Sequence, residues 1–367
     1  MEHVAGAVPI LPPGTLCNNQ FLLEKMLSAG GFGQVFEARE LYPMAGDTAN
    51  RVVKVEALNA KFQMLHRECQ CLRSLCMAHN PYNLVEYSPF LRYYGYGQID
   101  GFRWLAMEKC GENLSDLKKN MPLNRFSVPT SLYILSKFIS AIEMMHSIGW
   151  LHRDIKPANV CISLQNPRHL YLLDFGMSRI YVDGDGSLLP KRTSAPFRGT
   201  LRYVSVNIHK RRDASRWDDL WSAFYIATEN MVGFLPWKRL GDAKLVEEKK
   251  VSADLAELKH GTDYCRPNSL HVMELHLNPT IHDEASFYQA PPYHTFIQEI
   301  AADLHLRGIP DLSKVPLDWM TVNYPPTHKY HVMKEGPFRQ FERTLRTQKT
   351  PKKQSPQKKF ERSVCCY

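Results

Sequence analysis

The first third of the chain consists of short apolar runs that alternate with turn residues. The run RVVKVEAL at residues 51–58 is rich in β-branched residues, which favour a buried strand. Similar runs at residues 21–27 and 34–40 flank a glycine-rich segment. Between residues 60 and 77 the apolar positions recur at helical spacing, namely at Phe62, Leu65, Cys69, Leu72 and Cys76. Residues 20–105 are therefore predicted to form mainly strands, with one helix.

The middle of the chain follows a helical pattern instead. Within residues 129–149 one helix face is apolar, formed by Leu132, Leu135, Ile139, Ile142 and Met145. Thr130 or Ser131 is the predicted N-cap of this helix, and Gly149 follows its end. The Pro- and His-rich residues 262–292 are interpreted as a surface insertion. Beyond residue 130 the chain is thus predicted to be mostly helical, with long loops.

The two ends of the chain have a different composition. Residues 1–17 are rich in Pro, Gly and Ala and are predicted to form a disordered leader. Residues 326–367 lack a sustained period and form a basic, largely disordered tail that holds +8 of the net charge of +9. We expect this tail to bind polyanionic surfaces, with a purely solubilising role as the alternative. Because it lacks interleaved aromatic residues, we expect no sequence-specific nucleic-acid binding.

Composition also argues against several protein classes. No run of eighteen apolar residues occurs, so no transmembrane segment is predicted, and the N-terminal stretch lacks the basic region of a signal peptide. The nine cysteines show neither a disulfide framework nor paired zinc-ligand spacing. They indicate reduced thiols and a cytoplasmic protein, with the nucleus also open to it.

Two strings in the middle of the chain carry most of the chemical information. Residues 152–159 read HRDIKPAN, and Asp174 begins the string DFG fifteen residues later. Together they match a phosphotransfer site. Asp154 would accept a hydroxyl proton, and Lys156 would offset charge on the phosphoryl group. Asn159 and Asp174 would hold Mg²⁺ against the phosphates.

These strings resemble the eukaryotic protein kinase superfamily. The string FRGTLRYVSVNIH at residues 197–209 is similar to the casein kinase 1 group, and residues 216–237 look most like its tau-tubulin kinase branch. The resemblance spans residues 18–322. It implies an α+β, bilobal fold over residues 18–325, with ATP and Mg²⁺ bound between a strand-rich lobe (18–108) and a mainly helical lobe (109–325).

The resemblance also assigns roles to individual residues. Lys54 corresponds to the lysine that holds the α- and β-phosphates, and Glu68 to its ion-pair partner. Met107 corresponds to the gatekeeper beside the adenine. Glu108 and Cys110 correspond to hinge residues, and Thr200 corresponds to a residue beside the catalytic aspartate. Arg202 corresponds to a residue that binds an anion near the substrate cleft. Asp219 corresponds to the aspartate that fixes the catalytic loop. Leu72, His152 and Phe175 would stack with one further apolar residue between the lobes.

The glycine-rich segment LSAGGFGQV departs from the usual phosphate-binding loop. Ser28 replaces its first glycine, whereas the rest of the pattern is present at Gly30, Gly31, Gly33 and Val35. Two further departures, Val52 above the adenine and Cys161 below it, bear on ATP affinity. None of these changes removes a charged or metal-binding group.

The sequence therefore predicts a serine/threonine protein kinase, expected to be monomeric. Arg202, with Lys238 and Arg239 nearby, suggests acidic or already phosphorylated protein substrates. Two alternatives stay open: a pseudokinase scaffold, favoured by Ser28 and the altered adenine pocket, and a kinase that acts on small molecules.

Overall fold

The computed structural model describes residues 10–30, 33–45, 47, 50–79, 88–255, 258, 266–281 and 285–321. The chain divides into one unit of residues 1–253 and 266–323 and a second unit of residues 254–265 and 324–367. Most of the second unit lies outside the described residues. The predicted basic tail, most of the predicted leader and Gly31 lie outside them too. The fold and the candidate site below belong to the first unit.

The N-terminal part of this unit is an antiparallel sheet of six strands in the order β1-β2-β3-β4-β6-β5. The strands are β1 (Leu16–Cys17), β2 (Phe21–Gly30), β3 (Gly33–Glu40), β4 (Arg51–Ala57), β5 (Tyr93–Ile99) and β6 (Phe102–Glu108). One face buries Phe21, Phe36, Val53, Val55 and Trp104 in a common apolar cluster. Alternation of these residues with polar ones fixes which face of each strand points into that cluster.

Helix α1 (Leu65–His79) packs against strands β4, β5 and β6 of this sheet. The backbone N–H groups of Met64 and Leu65 donate to Glu56 Oε1 on β4 at 2.7 and 3.2 Å, so a strand side chain caps the helix start. Of the apolar face predicted for this segment, Leu65, Cys69 and Leu72 are buried and Cys76 is partly buried, whereas Phe62 precedes the helix and is 47% exposed. The prediction that Phe62 belongs to the helix was wrong.

The C-terminal part is mainly helical. Its helices are α2 (Leu114–Lys119), α3 (Val128–Ser147), α4 (Val206–His209), α5 (Arg216–Val232), α6 (Ala243–Ser252), α7 (Asn268–Leu277) and α8 (Tyr293–Leu306). Two small antiparallel ladders join β7 (Trp150–Leu151) to β10 (Arg179–Ile180) and β8 (Val160–Ile162) to β9 (Leu170–Leu172). A strand-rich part followed by a helical part agrees with the α+β class, and the lobe limits at residues 108 and 325 stay predictions.

The central helix α3 starts earlier than its sequence predicts. Ser127 is its N-cap and accepts a hydrogen bond from the backbone N–H of Thr130 at 3.3 Å. Thr130 and Ser131, the predicted caps, lie buried within the first turns. Pro129 fits there because a first-turn residue needs no backbone donor. Gly149 does follow the helix end, with φ = 82°.

The segment at residues 262–292 is not a surface insertion where the structure describes it. Helix α7 occupies residues 268–277 and buries Leu270, Met273 and Leu277. It packs between α5 and α8. Asp303 on α8 accepts the backbone N–H groups of residues 268 and 269 at 3.1 and 2.7 Å, which satisfies two donors at the helix start. Proline and histidine dominated the composition and concealed the apolar period.

Candidate active site

One buried carboxylate fixes the backbone of the HRDIKPAN loop. Asp219, in the first turn of α5, accepts the backbone N–H groups of His152 and Arg153, both at 2.8 Å. A ring nitrogen of His146 donates to the same carboxylate at 2.9 Å. Although burial opposes its charge, these donors and the nearby imidazoles hold the pKa of Asp219 below its usual value. The helix therefore holds the loop in one conformation, and the predicted role of Asp219 matches these contacts.

The predicted catalytic side chains converge on Asp154, which is 4% exposed. Lys156 Nζ donates to Asp154 Oδ2 and Thr200 Oγ1 donates to Asp154 Oδ1, each at 2.6 Å. Asn159 Nδ2 donates to the backbone oxygen of Asp154 at 3.0 Å. Residues 46 positions apart in sequence thus meet at one carboxylate. This leaves a carboxylate with both oxygens oriented, as a general base requires.

Lys54 lies between two carboxylates. Its Nζ is 2.6 Å from Glu68 Oε2 on α1 and 3.4 Å from Asp174 Oδ1. Burial disfavours the charge on this lysine, but the two carboxylates outweigh it and raise its pKa above the ordinary value. For Glu68 burial is the larger effect and raises its pKa to about 6, against the attraction of Lys54. Because the ion pair is so short, we take both groups as charged at neutral pH.

Asp174 adopts a left-handed backbone conformation, with φ = 64°. Its side chain is 42% exposed, and its Oδ1 lies 3.4 Å from Lys54 Nζ. Burial raises the pKa of this carboxyl group, but Lys54, Lys156 and His152 together hold it below its usual value. The left-handed backbone of Asp174 is strained for a residue other than glycine. Such strain is typical of functional sites, where surrounding contacts enforce the conformation.

An aromatic stack joins the catalytic loop to the DFG segment and to α1. The rings of His152 and Phe175 lie 5.5 Å apart, and the ring of Phe90 lies 6.0 Å from that of Phe175. His152 Nε2 bonds to the carbonyl oxygen of Leu173 at 3.0 Å. Helix α1, which carries the buried Leu72, packs against residues 175–177. Phe90 is thus an aromatic neighbour of Phe175, and the full predicted stack stays a prediction.

Residues Asn159 and Asp174 offer the oxygen ligands that Mg²⁺ prefers. Across the described residues no cluster of three or more His, Cys, Asp or Glu side chains could hold a metal ion. Magnesium at phosphate-transfer sites usually takes one or two protein ligands and completes its shell with phosphates and water. One carboxylate and one amide therefore fit a metal that arrives with a nucleotide.

The glycine segment lies where the antiparallel strands β2 and β3 meet, and the structure describes its residues 27–30 and 33–35. Ser28 lies opposite Val35, and Gly30 opposite Gly33, which has φ = 118°. A Cβ atom at Gly33 would lie 2.2 Å from the backbone oxygen of Val55, whereas a Cβ atom at Gly30 would meet nothing within 4 Å. Gly33 is thus required by its own backbone and by β4, and Ser28 is accommodated as an exposed strand residue.

We expect Gly33→Ala to lower the stability of the protein by about 1–3 kcal/mol, because the new methyl group clashes with backbone and φ is unfavourable. Gly30→Ala is the matched control and should change stability by less than about 1 kcal/mol. Urea unfolding of the three proteins measures both effects. Equal midpoints for Gly33→Ala and the wild type would contradict this geometry.

Two strands form the region assigned to the adenine. Val52 on β4 pairs with Met107 on β6, and each is 9% exposed. The Glu108 side chain is not available to a nucleotide, since Arg92 Nε donates to it at 3.2 Å and the Tyr171 hydroxyl at 3.3 Å. A hinge contact at this position would therefore use the backbone.

The two cysteines assigned to this region lie against each other. The thiols of Cys110 and Cys161 are hydrogen-bonded, which lowers the pKa of Cys110. For Cys161 the same bond and burial raise the pKa. The backbone N–H of Gly111 donates to the carbonyl oxygen of Ile162 at 2.8 Å, so the chain after β6 is bound to β8. Cys161 thus lies beside the segment that follows β6, and β6 pairs with the strand that carries Val52.

Arg202, the predicted substrate anion site, takes part in an internal network. Its Nη1 is 3.4 Å from Glu229 Oε1, and its Nη2 is 3.4 Å from the backbone oxygen of Lys238. Lys118 Nζ and the Tyr203 hydroxyl also donate to Glu229, each at 2.8 Å. The Arg202 side chain remains 36% exposed. Positive charge thus exceeds negative charge here, and the anion site stays a prediction.

Sequence reasoning missed the residues that support Arg202. Lys118 and Lys250 belong to charged helical stretches that are typical of exposed surfaces. Lys250 Nζ instead donates to the backbone oxygens of Leu201 and Val204, at 3.0 and 2.5 Å. Burial lowers its pKa well below the ordinary value. The sequence offered one indication of a buried ion pair here, namely Glu229, a lone acidic residue within an apolar helical run.

No helix in the described part of the chain is long and apolar enough to cross a membrane.

Comparison with curated relatives gives 30% identity over 309 residues to a probable serine/threonine-protein kinase of Dictyostelium discoideum, covering 83% of this chain and 57% of that protein. A putative casein kinase I of Caenorhabditis elegans is 34% identical over 236 residues, 63% of this chain and 65% of the relative. This chain therefore spans less than two thirds of the length of both.

A probable casein kinase I homolog of Encephalitozoon cuniculi is 32% identical over 261 residues, 68% of this chain and 77% of that protein. A family model described as protein kinase domain matches residues 21–300. That range contains the glycine segment, the Lys54–Glu68 pair, the Asp154 cluster and the helix that carries Asp219. The chain belongs to the protein kinase domain family.

Proposed function

We propose that the chain is an active serine/threonine kinase that transfers the γ-phosphoryl group of ATP to hydroxyl groups of proteins. The observation that carries this proposal is the orientation of Asp154. One of its oxygens accepts from Lys156 and the other from Thr200, each at 2.6 Å. A bound substrate hydroxyl would compete with Thr200 for Asp154 Oδ1. This oxygen would then orient the hydroxyl for attack and accept its proton.

The remaining polar residues divide the work of charge stabilisation. Lys54, held by Glu68, would bind the α- and β-phosphates, and Lys156 would offset charge on the transferring group. Asn159 and Asp174 would hold Mg²⁺, which when bound neutralises phosphate charge. Glycine backbone of the segment between β2 and β3 would donate N–H groups to the phosphates. Each charged or metal-binding residue that this requires is present.

These contacts also favour an active enzyme over a pseudokinase scaffold. A scaffold has no need of Lys54, Glu68, Asp154 and Asp174 together, and burying Glu68 and Asp154 without function costs stability. The departures Ser28, Val52 and Cys161 alter shape and hydrogen bonding but no charge. We expect them to change the Michaelis constant for ATP rather than to abolish turnover.

Finer points of the proposal concern the group and the substrate. The string at residues 197–209 and the relatives named casein kinase I favour the casein kinase 1 group, and residues 216–237 favour its tau-tubulin kinase branch. The excess positive charge around Arg202 favours acidic or already phosphorylated protein substrates. This protein-binding surface also disfavours a kinase for small molecules. A monomeric state and a cytoplasmic or nuclear location remain predictions.

The test is phosphoryl transfer from Mg-ATP to casein and to an acidic peptide with and without a priming phosphate. ATP is varied into the millimolar range. We expect transfer to all three, with the primed peptide favoured. Transfer to free small hydroxyl compounds alone would favour the small-molecule alternative. No transfer at any ATP concentration, by a protein that unfolds cooperatively, would favour the scaffold.

Arg202→Ala should raise the Michaelis constant of the primed peptide by about 10-fold or more, because a charge-assisted hydrogen bond is worth about 1.5–3 kcal/mol. The constant for the unprimed peptide should rise less. Lys119→Ala is the matched control, since this lysine is a neighbouring surface cation with a 70% exposed side chain. An equal effect of Arg202→Ala on both peptides would contradict recognition of the phosphate.

A further inference from the structure

Another buried carboxylate, Asp213, lies outside the groups used so far. It precedes α5, and its side chain is 1% exposed. Arg192 donates three hydrogen bonds to it, from Nε at 3.0 Å, from Nη2 at 2.6 Å and from the backbone N–H at 3.0 Å. Arg179 Nη1 donates to the same oxygen that the Arg192 guanidinium contacts. One carboxylate therefore accepts at least four hydrogen bonds from two arginines.

These bonds join three segments that each lead to a residue of the candidate site. Arg179 belongs to β10, five residues after Asp174, and pairs with Leu151 just before the catalytic loop. Arg192 lies in the segment that leads to Thr200. Asp213 itself precedes the helix whose first turn carries Asp219. A displacement of Asp213 would therefore move the segments that carry Asp174, Thr200 and Asp219 together.

The surroundings of Asp213 contain an excess of positive charge. Burial, together with Arg67, Arg179 and Arg192, lowers the pKa of Arg153 to about 10. Burial opposes ionisation of Asp213 too, but Arg192 and Arg179 hold its pKa below the usual value. A pocket beside this cluster is lined by Arg153, Arg192 and Arg212, among others. Without the carboxylate, these guanidinium groups would repel one another.

We propose that Asp213 is a positioning residue for phosphoryl transfer, which holds residues 179–192 against the catalytic loop by neutralising Arg179 and Arg192. This inference rests on the proposed kinase activity. Asp213 lies outside the cluster around Asp154, so its effect would pass through the arginines. The role therefore requires negative charge at this place rather than a particular side chain.

The test compares Asp213→Ala and Asp213→Asn with the wild type. We expect kcat to fall roughly 10- to 100-fold in both, because a small misplacement of catalytic groups has effects of this size. The Michaelis constant for ATP should change less. Millimolar sulfate should restore part of kcat in Asp213→Ala, since the anion would bind between the freed guanidinium groups. Sulfate should give the wild type no such increase.

Asp303→Ala is the matched control for a general loss of stability. Asp303 is also buried and paired with an arginine, Arg307 at 3.2 Å, but it lies on α8 far along the chain from the catalytic residues. We expect it to lower the unfolding midpoint without a sulfate-dependent kcat. If Asp213→Ala behaved like this control, Asp213 would have a structural role only and the inference would be overturned.

A second measurement does not depend on activity. Amide hydrogen exchange should accelerate at residues 179–200 in Asp213→Ala, and sulfate should slow it again. Unchanged exchange there, with unchanged kcat, would also overturn the inference. If the wild type transferred no phosphate but the exchange result held, Asp213 would still hold the segment, and the proposed function alone would fail.

Discussion

Asp154→Asn is expected to lower kcat by about 10³-fold, within the range that general acid–base catalysis contributes. The amide keeps the shape of the carboxylate, but it cannot accept a proton from a substrate hydroxyl. It also replaces an ion pair with Lys156 and a hydrogen bond with Thr200, both of which are 2.6 Å long. Steady-state transfer to casein from Mg-ATP measures the loss.

The matched control is Asp116→Asn, because this aspartate also pairs with a lysine, Lys119, but at a largely exposed position on α2. It should leave kcat at the wild-type value. Asp154→Asn should still bind Mg-ATP, seen as a rise in melting temperature on adding the nucleotide. A variant that retained wild-type kcat would show that Asp154 is not the base.

Much of the candidate site could be predicted because its chemistry is encoded in short strings. Asp154, Lys156 and Asn159 lie within five residues of one another, and the structure joins them by direct hydrogen bonds. Lys54 and Glu68 are assigned by resemblance alone; the structure joins them by a 2.6 Å contact, and their role at the phosphates stays a prediction. The remaining assignments to ATP, Mg²⁺ and substrate stay predictions.

Charged residues that lie outside the motifs named above and pair with distant partners could not be predicted. Asp213 and Arg179 are 34 positions apart, and Lys118 and Glu229 are 111 positions apart. Nothing local distinguishes such buried ion pairs from solvated surface charges, which are far more common. Burial of a charge depends on which segments pack together, and that is a property of the whole fold.

The errors in local structure have a similar cause. Ser127, Thr130 and Ser131 are all acceptable N-caps, so the choice between them depended on Pro129, which fits the first turn. The segment at residues 262–292 was judged by composition, although Leu270, Met273 and Leu277 follow a helical period. Packing of that face between α5 and α8 outweighs the effect of the surrounding prolines.

Lys54→Met should lower kcat/KM by roughly 10²- to 10³-fold, the size of effect seen when one preorganised charge-stabilising donor is removed. Methionine has a similar length but no charge, so the phosphates would lose a cation. Steady-state kinetics with varied Mg-ATP measures this loss. Activity equal to the wild type would contradict the assignment of Lys54 to the phosphates.

The same substitution separates catalysis from stability. It leaves Glu68, whose side chain is 5% exposed, without its counter-ion, which should cost about 3–5 kcal/mol of unfolding free energy. Arg39→Met is the matched control in the same sheet, since the side chains of Arg39 and Glu24 are 59% and 47% exposed. Loss of that pair should cost at most about 1 kcal/mol.

Adding Glu68→Gln to Lys54→Met tests whether the two effects are independent. The double variant removes both buried charges, so it should regain part of the lost stability measured by urea unfolding. It should not regain kcat/KM, because the cation that contacts the phosphates is still absent. Recovery of both quantities together would mean that Lys54 serves only to neutralise Glu68, and that a different cation binds the phosphates.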